Sequence, residues 1–200
     1  MPPAPPFNAT GSGSIRRCRP SRSSTMSTAL IVIDFQNAVF IAPAAHRAGL
    51  VLERIRGLIA AARAAKVPVV YVQHAEPDCE WEEGSDSWRF PPAIAPQPGD
   101  FVSAKRQCDA FFGTGLRAWL NQRAITHVVI CGYATEFCID TNVRHAASSG
   151  LAVTVAADAH TTRDRPHLEA VRIIEHHQAI WRGFGGIQLI DSDAVRFVEA

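Results

Sequence analysis

From residue 29 onward the hydrophobic positions fall into short unbroken runs: Ala29 to Asp34, Val67 to Gln73, Phe101 to Ala104, His127 to Gly132, Ala152 to Ala157 and Ile187 to Ile190. These runs lack the alternation of a one-sided sheet, so each predicts a strand buried on both faces, as in a parallel sheet. Between them, helical spacing covers Ala44 to Lys66, Thr114 to Arg123, Glu136 to Ser149 and Pro166 to Trp181, with a short closing helix expected from Asp193. Strand followed by helix, repeated, predicts an α/β fold with right-handed crossovers. The expected architecture has three layers: a mostly parallel six-stranded sheet with helices on both faces, Rossmann-like in outline.

One connection breaks this rhythm. Residues 74 to 100 have no clear period, and structureless loops longer than about 15 residues are usually lids, binding loops or disorder. Six acids (Glu76, Asp78, Glu80, Glu82, Glu83, Asp86) crowd its first half together with Trp81 and Trp88. Two readings stay open: a solvated loop pinned to the body by its tryptophans, or a surface that touches substrate or a second subunit.

Composition adds boundaries. The 200 residues are 47% hydrophobic with a formal charge of +1, enough for one domain with a sizeable core and no reason to expect nucleic acid. No apolar run approaches the roughly 18 residues that cross a bilayer, so the expectation is a cytoplasmic protein with a small-molecule partner and no membrane contact. Five cysteines with no Cys-x-x-Cys spacing imply reduced thiols. Residues 1–27 hold five prolines, six serines and four arginines but no acid, leucine or valine, so they are expected to be disordered, with the domain over 28–200. Met26 stands just before the first core strand and is an expected natural start, with a transit peptide as the rival explanation of the preceding segment.

Ligands of open parallel sheets bind beyond the carboxyl ends of the strands, and three polar residues fall there. Asp34 ends the first run, Lys105 follows the third, and Cys138 follows the turn after Gly132. Alone, each has an ordinary explanation: a turn cap, a solvated charge, a core thiol. Together they are a base, a cation and a nucleophile on one rim. A helix N-terminus carries about half a positive charge, so a thiol opening a helix is expected to fall from about 8.5 toward 7 or lower.

The runs IVIDFQNAVF from Ile31, GDFVSAKRQCDAFFGTGL from Gly99 and VVICGYATEFCIDTNVRHAASSG from Val128 resemble, in order and spacing, the isochorismatase-like cysteine hydrolases. ADAHTTRD from Ala157 and IIEHHQAIW from Ile173 look like members of the same group, and the likeness covers about residues 28 to 190. The resemblance implies the isochorismatase-like hydrolase fold, a catalytic Asp34, Lys105 and Cys138, and hydrolysis of an amide or other non-peptide C–N bond through a thioester. It further implies a non-proline cis peptide at Ala134–Thr135, an oxyanion hole of backbone N–H groups at Ala134, Thr135 and Cys138, and a homodimer or larger homo-oligomer. Phe35, Gln36, Phe40, His74, Trp88, Tyr133 and Phe137 are the candidate pocket walls.

Three alternatives stand beside this reading. Asp34 could act as an acid on an enol ether with no covalent step, although retaining Cys138 favours the thiol route. The fold could also be catalytically silent. A dinucleotide-binding module fails because the turn after the first strand has no Gly-x-Gly-x-x-Gly. No cofactor is expected. The family's metal-binding branch uses an aspartate and histidines after the second strand, whereas YVQHAEPDCEW carries His74 without an Asp-x-His pair.

Overall fold

The computed structural model describes residues 27–198, so the segment read as disordered over 1–27 lies outside the described residues except for Ser27. Six strands form one sheet: β1 (Thr28–Ile33), β2 (Val69–His74), β3 (Phe101–Lys105), β4 (His127–Tyr133), β5 (Ala152–Thr161) and β6 (Ile187–Ile190). Their order is β3-β2-β1-β4-β5-β6 and every pairing is parallel, as the doubly buried runs require. The chain builds outward from β1 through β2 to β3, then crosses back to lay β4 on the other side of β1. The strand order reverses there, which opens a crevice at the strand ends.

Side-chain alternation along β1 divides the core in two. Leu30 and Val32 pack toward α1 (Ala48–Ala64), meeting Val51, Ile55, Leu58 and Ala62. Ala29, Ile31 and Ile33 point the other way, against Leu116 and Leu120 of α2 (Leu116–Gln122), Ile139 and Val143, and Trp181 of α4 (Ala170–Arg182). Each fully buried Leu or Ile contributes about 1.5–3 kcal/mol, so these two faces supply the main folding force.

The helices depart from their sequence bounds for local reasons. α1 begins at Ala48, directly after Arg47 adopts a left-handed φ of 50° that a right-handed helix cannot include. The segment expected as one helix from Glu136 is two pieces, a wide π turn over Thr135–Ile139 and then α3 (Asp140–Ser148). The closing helix from Asp193 is corrected to a single turn: Ala194 and Val195 N–H groups bond the Asp191 carbonyl, and no helix follows among the described residues.

One glycine fixes how β4 delivers the chain to the crevice. Gly132 has φ +127° and pairs with Ile33, and a Cβ there would lie 2.0 Å from the Ile33 carbonyl oxygen. Only hydrogen fits, so β1 and β4 can close at the point where Asp34 and the turn that carries Cys138 leave the sheet.

Candidate active site

Asp34 leaves β1 in a left-handed conformation, φ 49°, which turns its carboxylate over the strand ends. Lys105 closes β3, an edge strand two places from β1, and its four-carbon stem reaches back past β2. Its ammonium lies 2.7 Å from Asp34 Oδ2, donates to Cys138 Sγ at 3.2 Å and stands 3.4 Å from His74 Nδ1. All three residues named from the sequence are more than nine-tenths buried. Among the described residues neither Asp34 carboxylate oxygen has a directed hydrogen bond, so the Lys105 contact is an ion pair and the carboxylate keeps free acceptor capacity.

Burial sets the resting protonation states. It raises the Cys138 thiol well above the usual cysteine range, and the Asp34 charge adds to this while Lys105 opposes it. The expected fall toward neutrality is therefore corrected: desolvation and the neighbouring carboxylate outweigh the attraction of Lys105. Burial alone would lower Lys105, but attraction to Asp34 and Cys138 prevails and raises it, so the cation persists. His74 is held below its ordinary value, first by burial and then by Lys105, and is neutral.

The non-proline cis peptide lies at Tyr133–Ala134, one bond before the Ala134–Thr135 position expected from the sequence. The Ala134 carbonyl accepts from both Phe137 N–H and Ile139 N–H at 3.1 Å, which defines the wide turn. Asn142 Nδ2 donates to the carbonyls of Cys138 (2.7 Å) and Cys108 (2.9 Å), joining the turn that carries Cys138 to the loop after Lys105.

A cavity of about 340 Å³ opens over this group, lined by Asp34, His74, Tyr133, Ala134, Phe137 and Cys138, with Glu76, Glu80, Trp81, Cys108, Arg163 and Arg165 at its sides. The family model for the Isochorismatase domain matches residues 28–181. The chain belongs to the isochorismatase family. A streptothricin hydrolase from Streptomyces noursei is 36% identical over 69% of this chain and 51% of its own length. A ureidoacrylate amidohydrolase from Methylobacterium radiotolerans is 29% identical over 72% of this chain and 70% of its own. The chain spans about half the length of the streptothricin hydrolases it matches. Among solved structures, an isochorismatase family protein superposes with a TM-score of 0.77 at 35% identity, covering 82% of this chain and 98% of the other.

Within this isochorismatase-family site the expected pocket walls divide. His74, Tyr133 and Phe137 line the cavity. Phe35 instead lies wholly in the core, edge-on to Phe40 on the outer side, so neither reaches the pocket. Gln36 is a buried brace: its amide donates to the His74 and Trp88 carbonyls and accepts from His74 N–H. Trp88 contributes that carbonyl, not its ring, and the wall is Trp81, stacked on Tyr133 at 5.6 Å. Thr135, the first residue of the wide turn, is fully buried.

Sequence reasoning missed Trp81, Glu80, Arg163 and Arg165 as lining residues. Arg163 pairs with Glu80 at 2.9 Å and donates to the Ala38 carbonyl, while Arg165 pairs with Glu136 at 2.6 Å and sits over the Phe137 ring. The available signal was the ADAHTTRD run, whose arginine follows a strand end. Among the described residues no three His, Cys, Asp or Glu side chains are grouped to hold a metal, and no helix is long and apolar enough to cross a membrane.

Proposed function

We propose that the chain is a hydrolase that cleaves an amide or other non-peptide C–N bond of a small molecule through a thioester on Cys138. The observation that carries this reading is the Lys105 ammonium set between Asp34 and Cys138 at 2.7 and 3.2 Å on the floor of the cavity. Two relatives support the reaction class, one named for hydrolysis of streptothricin and the other as an amidohydrolase.

The chemistry follows from the resting charges. The thiol is protonated at rest, so a thiolate forms only as its proton passes to Asp34, with Lys105 stabilising the anion on either atom. The sulfur attacks the carbonyl carbon, and the oxyanion turns to backbone N–H groups at Ala134, Thr135 and Cys138. Phe137 N–H is not among the donors, because the Ala134 carbonyl already occupies it. Asp34 then returns the proton to the leaving nitrogen, the C–N bond breaks and an acyl thioester remains. Water, deprotonated by Asp34, hydrolyses the thioester and regenerates the thiol. Each oxyanion donor is worth about 3–4 kcal/mol, which offsets the cost of ionising a thiol that burial holds protonated.

A panel of amides and ureides with ammonia detection tests the proposal. Cys138→Ala is expected to abolish turnover, with the acyl adduct on Cys138 of the wild type caught by mass spectrometry after acid quench. Full turnover by Cys138→Ala would instead assign the chemistry to Asp34 as a non-covalent acid. The same reading expects a homo-oligomer, and a monomeric mass by light scattering would overturn that part.

A further inference from the structure

His160 is buried at the end of β5, away from the cavity wall, and the reaction above gives it no part. Its position depends on an irregularity in the sheet. Between the pairs Ile130↔Val155 and Gly132↔His160, β4 advances two residues while β5 advances five. The surplus on β5 is a bulge that sets His160 opposite Gly132, directly behind the nucleophile turn.

Hydrogen bonding fixes the tautomer. Gln178 Nε2 lies 2.7 Å from the Ala157 carbonyl, which can only accept, so the amide nitrogen is the atom that faces His160. That nitrogen is 3.2 Å from His160 Nε2, making Nε2 an acceptor and leaving the ring proton on Nδ1. Nδ1–H then donates to Thr135 Oγ1 at 2.9 Å. Trp181 stands edge-on to the same ring at 5.3 Å and donates its indole N–H to Asp140 Oδ1, at the start of α3. The imidazole thus connects α4 and the β5 bulge to the first residue of the turn that carries Cys138.

We infer that His160 is a positioning residue: through Thr135 it orients the backbone N–H groups of the nucleophile turn toward the carbonyl oxygen under attack. The inference rests on the reading of Cys138 as nucleophile. A histidine serving only as core filling would leave the reaction untouched once stability is restored. A positioning role affects the step that builds charge on oxygen and leaves the sulfur's own reactivity alone.

Two rates separate these cases: turnover of the best substrate from the amide panel, and alkylation of Cys138 by iodoacetamide, which needs no oxyanion donor. His160→Leu, lacking the donor, is expected to lose about 10- to 100-fold in kcat with KM within about threefold and alkylation within about twofold of wild type. His160→Asn, whose amide can replace Nδ1–H, is expected to recover most of kcat. Thr135→Val removes the acceptor with little change of shape and is expected to match His160→Leu; it supplies the measurement if the leucine variant does not fold. Unchanged kcat, an equal loss in alkylation, or an asparagine variant no better than leucine would overturn the inference. Failure of the underlying reading appears separately, as wild-type turnover that survives complete alkylation of Cys138.

Discussion

At the scale of single residues the site is an electrostatic arrangement held away from water. Lys105 contacts two buried groups that can each become anionic, and its removal leaves Asp34 buried without that compensation. Breaking such a pair costs about 3–5 kcal/mol. Lys105→Met is therefore expected to lower the urea unfolding free energy by about that amount and to reduce kcat/KM by at least about 100-fold. His160 gives a pH dependence of known sign. Burial, with His177 adding to it and Asp158 opposing, lowers its pKa from 6.5 to about 4. The unfolded chain takes up that proton first, so the stability His160 contributes is complete above about pH 6.5 and is lost as pH falls toward 4. The loss amounts to about 3 kcal/mol. Unfolding of His160→Asn followed between pH 7 and 4 is expected to lack that part of the slope, leaving the contributions of His74 and His127, which are also lowered.

At the scale of elements, strand ends position the chemistry and a few backbone features set their spacing. Gly132 and Gly150 both have positive φ, but only Gly132 faces a neighbouring backbone, at 2.0 Å from its would-be Cβ. Gly132→Ala is expected to prevent soluble folding, because β1 and β4 must separate to admit the methyl. Gly150→Ala, with open space around it, is expected to cost about 1 kcal/mol of left-handed strain, and paired thermal melts would distinguish the two. The strands themselves were legible in the sequence, since unbroken apolar runs can hide only in a doubly covered sheet; the Ile187–Ile190 strand agrees at both ends. The π turn, the β5 bulge and the loss of the Asp193 helix were not legible. Each depends on partners distant in sequence, such as Asn142 against Cys108, or Asp158 binding Ser192.

At the scale of the whole molecule, the long loop after β2 closes one side of the cavity. Its backbone is pinned by Gln36 and Gln73 to the Trp88 carbonyl, and Glu76, Glu80 and Trp81 face the pocket. Arg163 is its far anchor, reaching Glu80 and the Ala38 carbonyl from beyond β5. Arg163→Met is expected to raise KM by about tenfold, leave thermal stability nearly unchanged and expose the loop to proteolysis between Glu76 and Asp86. The sequence by itself determined the layered α/β architecture and the family, and it singled out Asp34, Lys105 and Cys138 as three polar residues at strand ends, because strand periodicity and motif order are local properties of the chain. Only the tertiary structure decided which tryptophan walls the cavity, which acids are already paired, that burial raises the Cys138 thiol, and that His160 stands behind it. Those outcomes depend on burial and on contacts between segments far apart in sequence, and neither is encoded in the residues of one segment.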